Sequence, residues 1–164
     1  MSYDLFVFDP NIAPRDRDQF IIWYKQLTKW EEPRDYNSTE GTTGNLSAFF
    51  DRLSRHYPPM NGPNAYQPEI HSKNDGGALR FWERIFGVRK RAPSLEPKLN
   101  EAFITDYSIA ENGIYMAFAW SINAEAYSDV VSAAIATGVG FFDVSGGNGV
   151  FIHDRDQLKE LPIL

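Results

Sequence analysis

Near its start the chain reads Tyr-Asp-Leu-Phe-Val-Phe-Asp (Tyr3–Asp9), and this run narrows the possible folds more than any other. It is short, rich in aromatics and apolar on both alternating faces. That is the pattern of a central strand. Pro10 and Pro14 end it and lead into a helix. Between Arg15 and Glu32, Phe20, Trp23, Tyr24, Leu27 and Trp30 recur at helical spacing. Pro33 closes that helix.

A polar loop, Asp35 to Gly44, precedes a second helix, which Asn45 is placed to cap. Leu46, Phe49, Phe50, Leu53 and Tyr57 form its apolar stripe, and Pro58-Pro59 stops it. Residues 60–99 are a long excursion bounded by prolines, with a short amphipathic helix expected over Gly77–Gly87. Phe103–Ile109 and Ile114–Trp120 read as a hairpin around Asn112-Gly113, a dipeptide that favours tight turns. Asn123 is expected to cap a third helix that Gly138 terminates. Val139–Val144 is a further strand, Gly146–Gly149 a turn into Val150–Ile152, and Asp156–Leu161 a short C-terminal helix. The resulting order predicts an α+β fold, a ferredoxin-like βαββαβ sandwich with an extra helix and a long insertion (residues 60–99). Right-handed crossovers then give strand order 4-1-3-2. The 164 residues fit a single domain, 1–164.

Several classes of function are disfavoured. The chain has no cysteine, which removes disulfides, thiolate metal sites and cysteine nucleophiles. Its formal charge of -6 opposes nonspecific nucleic-acid binding, which depends on Lys and Arg displacing phosphate counterions. Met1-Ser2-Tyr3-Asp4 lacks a signal peptide's basic start, and no run approaches the length of a membrane span, so a cytoplasmic protein without a membrane partner is expected.

His56, His71 and His153 lack metal-ligand spacing, no Gly-x-Ser-x-Gly elbow is present, and the glycine-rich stretches sit where turns are needed. No catalytic residue, metal ligand or cofactor is therefore expected, and the protein reads as a non-enzyme. One alternative is a small enzyme or ligand-binding domain in which Asp4, Asp106 and Asp143 converge at one sheet edge. Another is a nucleic-acid-binding accessory role for Arg80–Arg91, where Arg80, Arg84, Arg89, Lys90 and Arg91 interleave with Phe81, Trp82 and Phe86.

Tyr3–Asp9, Tyr115–Ser121 and Gly138–Asp143 together resemble a group of small uncharacterised bacterial α/β proteins, some of them similar to immunity proteins of contact-dependent or polymorphic toxin systems. The resemblance covers the strands and helices outside residues 60–99. It implies stoichiometric binding and neutralisation of a cognate toxin, one example being a basic nuclease, and no direct contact with nucleic acid. Trp, Tyr and Arg are common interface anchors. The expected partner-binding residues are accordingly Tyr66, Trp82, Arg84, Phe86 and Arg89, with Glu31, Asp35 and Glu40 as an acidic contact.

Overall fold

The computed structural model describes residues 1–67 and 100–162. The chain separates into two compact units, Met1–Tyr66 with Asn100–Leu164, and Gln67–Leu99. The first unit holds the sheet and the helices that cover it. The excursion expected over residues 60–99 begins later than residue 60. Met60 N–H donates to the Thr105 carbonyl (2.8 Å) and Tyr66 N–H to the Pro59 carbonyl (2.8 Å), which tie residues 60–66 back onto the first unit. The expected Gly77–Gly87 helix lies outside the described residues.

The fold is α+β. Six antiparallel strands form one sheet in the order β2-β3-β1-β4-β5-β6: β1 (Ser2–Phe8), β2 (Asp106–Ile109), β3 (Gly113–Ala119), β4 (Gly140–Phe142), β5 (Val150–Asp154) and β6 (Gln157–Glu160). The helices among the described residues are α1 (Arg17–Leu27), α2 (Gly44–Leu53) and α3 (Asn123–Thr137). This differs from the four-stranded ferredoxin-like sandwich expected above in two respects. Strands β5 and β6 extend the sheet beyond β4, and both faces of the sheet carry helices.

The two-sided cover follows from β1. Leu5 and Val7 point to one face, where they pack with Leu46, Phe49, Phe50 and Leu53 of α2 and Val130, Ala133 and Ala134 of α3. Phe6 and Phe8 point to the other, where Phe20 of α1 and Phe142 of β4 meet them. The ring centroids of Phe8 and Phe20 are 4.7 Å apart and those of Tyr24 and Phe142 4.9 Å. Each buried ring contributes about 1.5–3 kcal/mol of apolar transfer. A strand apolar on one face alone would leave α1 nothing to cover.

Boundaries shift for local reasons. Asp16 caps α1 by accepting from Gln19 N–H at 2.9 Å. The helix ends at Leu27, short of Glu32: Thr28 is its C-cap, and Trp30 beyond it takes a left-handed conformation (φ 57°). Thr43, not Asn45, is the cap residue of α2. Ile122, not Asn123, holds the cap position of α3, and Gly138 ends that helix at φ 75° as expected. The segment expected as a C-terminal helix is strand β6. Arg155, at φ 59°, turns the chain so that Asp154 faces Gln157 and β6 pairs with β5. No helix among the described residues is long and apolar enough to cross a membrane.

Candidate functional site

Between α1 and α2, residues 28–43 carry no regular structure, yet hydrogen bonds hold them throughout. Arg34 is at the centre. Its guanidinium donates to the Glu40 carbonyl at 2.7 Å, to Thr42 Oγ1 at 2.7 Å and to the Ser38 carbonyl at 3.4 Å. Its contact with the Glu32 carboxylate is 3.8 Å. The loop is also fixed to the sheet. Ile109 N–H donates to the Tyr36 carbonyl (2.8 Å), and Thr43 N–H donates to the Glu111 carbonyl (3.3 Å). Thr42 Oγ1 donates to the Ala110 carbonyl (3.2 Å), and Glu111 N–H to the Glu32 carboxylate (3.1 Å). Trp30 packs edge-on against Tyr36 (5.2 Å) and Tyr115 (6.2 Å). A bulky residue at positive φ is uncommon and costs on the order of 1–3 kcal/mol. These ring contacts are what hold it there.

The scaffold displays acidic side chains. Glu31, Asp35, Glu40 and Glu111 are all exposed, and among the described residues none of them forms an ion pair. The Asp35 carboxylate accepts from Asn37 N–H at 2.9 Å and from Asn37 Nδ2 at 3.1 Å. The backbone bond first, then the side-chain amide, hold its carboxyl below the usual carboxylate range. The residue therefore stays charged while the solution acidifies.

Tyr66 reaches the same side of the molecule. Its loop crosses the acidic loop at Gly62, where a Cβ would come within 2.7 Å of Asn37 Cβ, and Gly62 also adopts φ 88°. Asn61 Nδ2 donates to Asp106 Oδ1 at 3.3 Å. Of the expected partner-binding residues, the fold thus gathers Glu31, Asp35, Glu40 and the Tyr66 loop at the β2 edge of the sheet. Trp82, Arg84, Phe86 and Arg89 lie outside the described residues, as does the Arg80–Arg91 run.

Beside this loop a cleft of about 360 Å³ opens between α1 and the sheet, lined by Tyr24, Thr28, Trp30, Asp106, Ser108, Tyr115 and Ala117. Register places Asp4 and Asp106 on either side of Ala117. Their Cα atoms are therefore about 10 Å apart, two strand spacings. Asp4 Oδ1 is buried with no hydrogen-bond partner among the described residues. Burial and then the Asp4 charge push the Tyr24 hydroxyl up to about 12. Burial, followed by the neighbouring Asp4 carboxylate, pushes that of Tyr115 up as well.

The three-aspartate site is corrected here. Asp143 stands on the sheet face opposite Asp4 and Asp106, beside Tyr3, whose hydroxyl donates to it at 3.5 Å. It accepts from Gly146 N–H (2.9 Å) and Gly147 N–H (3.3 Å) and so fixes the turn into β5. Alternation along β4 separates it from Asp4: Phe141 and Phe142 face opposite sides, and Asp143 follows Phe141.

Sequence reading missed Arg34 and Trp30 as organisers of the loop. Arg34 has no local signal, because its hydrogen-bond partners are two backbone carbonyls and a threonine hydroxyl four to eight residues away, which the folded loop brings together. Trp30 was visible only as a member of the helical stripe. Comparison with family models, curated proteins and solved structures yields no match.

Proposed function

We propose that this protein acts by stoichiometric binding of another protein through the acidic loop surface at the β2 edge, as an immunity protein that neutralises a cognate bacterial toxin. The observation that carries this reading is the display of Glu31, Asp35, Glu40 and Glu111 on backbone held by Arg34 and by the hairpin turn. A surface ordered before docking loses little conformational entropy on docking. Its field draws in a basic partner and disfavours acidic ones. A basic nuclease made in the same cell fits that description. In this reading the protein is not an enzyme, needs no cofactor, makes no direct contact with nucleic acid, and works in the cytoplasm.

At the level of fold, the same reading takes β1, α2, β2, β3, α3 and β4 as a ferredoxin-like core, with α1, β5, β6 and residues 67–99 added to it. Its support is that β2-β3-β1-β4 are neighbours in antiparallel pairs and that α2 and α3 share one face.

The experiment is co-expression with the product of an adjacent toxin-type gene. A one-to-one complex in which the toxin's activity is suppressed is the expected result. A toxin that stays fully active under molar excess of this protein contradicts the reading.

One observation favours a second reading, a ligand-binding cleft. Tyr24, Trp30 and Tyr115 line the cleft together with Asp106, and Asp4, opposite the lining residue Ala117 in the register, has a buried Oδ1 with no hydrogen-bond partner among the described residues. A small organic cation satisfies both features, through charge and through the ring faces. Loss of tetramethylammonium-type binding in Asp4→Asn, measured by NMR titration, distinguishes it from the first reading, which Asp4→Asn leaves unchanged.

A further inference from the structure

A second group of polar side chains sits on the opposite face of the sheet from the cleft, where the turn after α2 meets α3. Glu125 and Asp129 are four residues apart on α3 and so share one helix face. His56 comes from the turn that follows α2. One ligand atom from each of the three lies within 4.8 Å of the other two. His56 Nε2 is 3.5 Å from Glu125 Oε1. That is long for a hydrogen bond. It is close to the edge of a tetrahedron built on bonds of about 2.0–2.1 Å, which is about 3.3–3.4 Å.

The surroundings orient the group. The Tyr57 hydroxyl donates to Asp129 Oδ2 at 2.9 Å, and Tyr57 is itself buried, its carbonyl accepting from the Tyr107 hydroxyl at 2.8 Å. A hydrogen bond from outside the ligand set, fixing one carboxylate oxygen, is the usual support of a metal-binding carboxylate. The His56 ring is held edge-on by Tyr57 (4.8 Å) and by Phe103 (4.9 Å). Two carboxylates one helical turn apart repel each other. Among the described residues neither forms an ion pair with a lysine or arginine.

We propose that His56, Glu125 and Asp129 form a site for a divalent transition cation, with Zn2+ the ion that fits best. One imidazole and two carboxylates suit zinc, whereas calcium and magnesium prefer oxygen donors throughout. Three protein ligands leave a fourth position for water. The bound ion relieves the carboxylate repulsion and clasps the end of α2 to α3. The sequence gives no ligand spacing for this site, because His56 is far from Glu125 along the chain and joins it only through the packing of α2 on α3. The site is independent of the acidic loop and of the partner proposed for it.

Zinc chloride titrated into the full chain tests this by calorimetry, with the melting temperature followed in parallel. The expected result is one Zn2+ per chain, a rise in melting temperature, and affinity reduced by about tenfold or more in His56→Gln and in Asp129→Asn. The side chain of His56 is 57% exposed, so its replacement leaves the fold intact, which circular dichroism verifies. Co2+ bound at the site gives visible d–d absorption that both variants lose, and Ca2+ gives no comparable heat. Equal zinc affinity in the wild type and both variants overturns the proposal, since binding then belongs to His71 or His153. So does the absence of both heat and a melting shift in the wild type.

Discussion

Two glycines show how closely β1 is enclosed. A Cβ at Gly113 would run into the Phe6 ring, and one at Gly140 into the Phe8 ring. Both glycines sit opposite Phe8 in the register, one on each neighbouring strand. Gly113→Ala and Gly140→Ala are therefore each expected to destabilise by about 1–3 kcal/mol through overpacking. Gly147→Ala, with open space around its Cβ, is expected to stay within about 0.5 kcal/mol. Urea unfolding of the three variants measures this, and equal midpoints for all three contradict the packing argument. The same residues mark a limit of sequence reading. Asn112-Gly113 correctly pointed to the hairpin, yet neither residue has a positive φ. The turn does not need glycine's left-handed freedom; the Phe6 ring needs glycine's missing side chain. Only the pairing of β1 with β3 reveals that, and the pairing joins residues more than a hundred positions apart.

Among the elements, the acidic loop is the one whose order depends most on a single side chain. Arg34→Ala removes the donors that satisfy the Glu40 carbonyl and Thr42 Oγ1. The expected cost is about 1–3 kcal/mol if those acceptors stay dry, and less where the loop opens to water. Limited proteolysis is expected to cut the variant within residues 31–42 faster than the wild type, while α3 and β1 keep their hydrogen-exchange protection. Unchanged cleavage contradicts the role given to Arg34. Much at this scale was legible in the sequence. The apolar run of β1, the stripe of α2 and the Gly138 stop of α3 depend on neighbours close in the chain. The C-terminal element was not legible. Leu158 and Leu161 are spaced three apart, which suits one face of a helix, whereas the strand sends them to opposite faces of the sheet. The choice is made by pairing with β5 and by the left-handed Arg155. The acidic residues were visible as charges, but their placement together at the β2 edge rests on Arg34, Tyr36 and the hairpin turn. The Asp4–Asp106–Asp143 grouping failed because edge position alone does not say which face a strand residue takes.

For the whole molecule, the buried tyrosines set an alkaline limit. Burial, then the Asp143 charge, pushes the Tyr3 hydroxyl up to about 12, and Tyr24 is raised to about 12 by burial and Asp4. Tyr57, Tyr107, Tyr115 and Tyr127 shift the same way, with burial the first cause in each. In the unfolded chain a tyrosine ionises near 10. The folded state therefore holds the neutral phenol to higher pH. That contribution is complete below pH 10 and is lost as pH climbs from about 10 to 12. Urea midpoints are expected to be level from about pH 8 to 9.5 and to fall above 10, together with the rise in phenolate absorbance. Tyrosines that all ionise near pH 10 in an intact fold contradict this. The formal charge of -6 belongs to the same scale, because the acidic loop concentrates part of it on one ordered surface. The most direct measurement is calorimetric titration of the cognate basic partner into the wild type and into a Glu31→Lys, Asp35→Lys, Glu40→Lys variant. These three side chains are exposed and form no ion pair among the described residues, and the two hydrogen bonds that Asp35 accepts from Asn37 are exposed, so the melting temperature is expected to fall by no more than about a few degrees. The predicted result is affinity at least about tenfold weaker in the variant, with a wild-type affinity that falls as salt rises. Equal affinity for the two proteins, both folded at the titration temperature, contradicts the acidic loop as the binding surface.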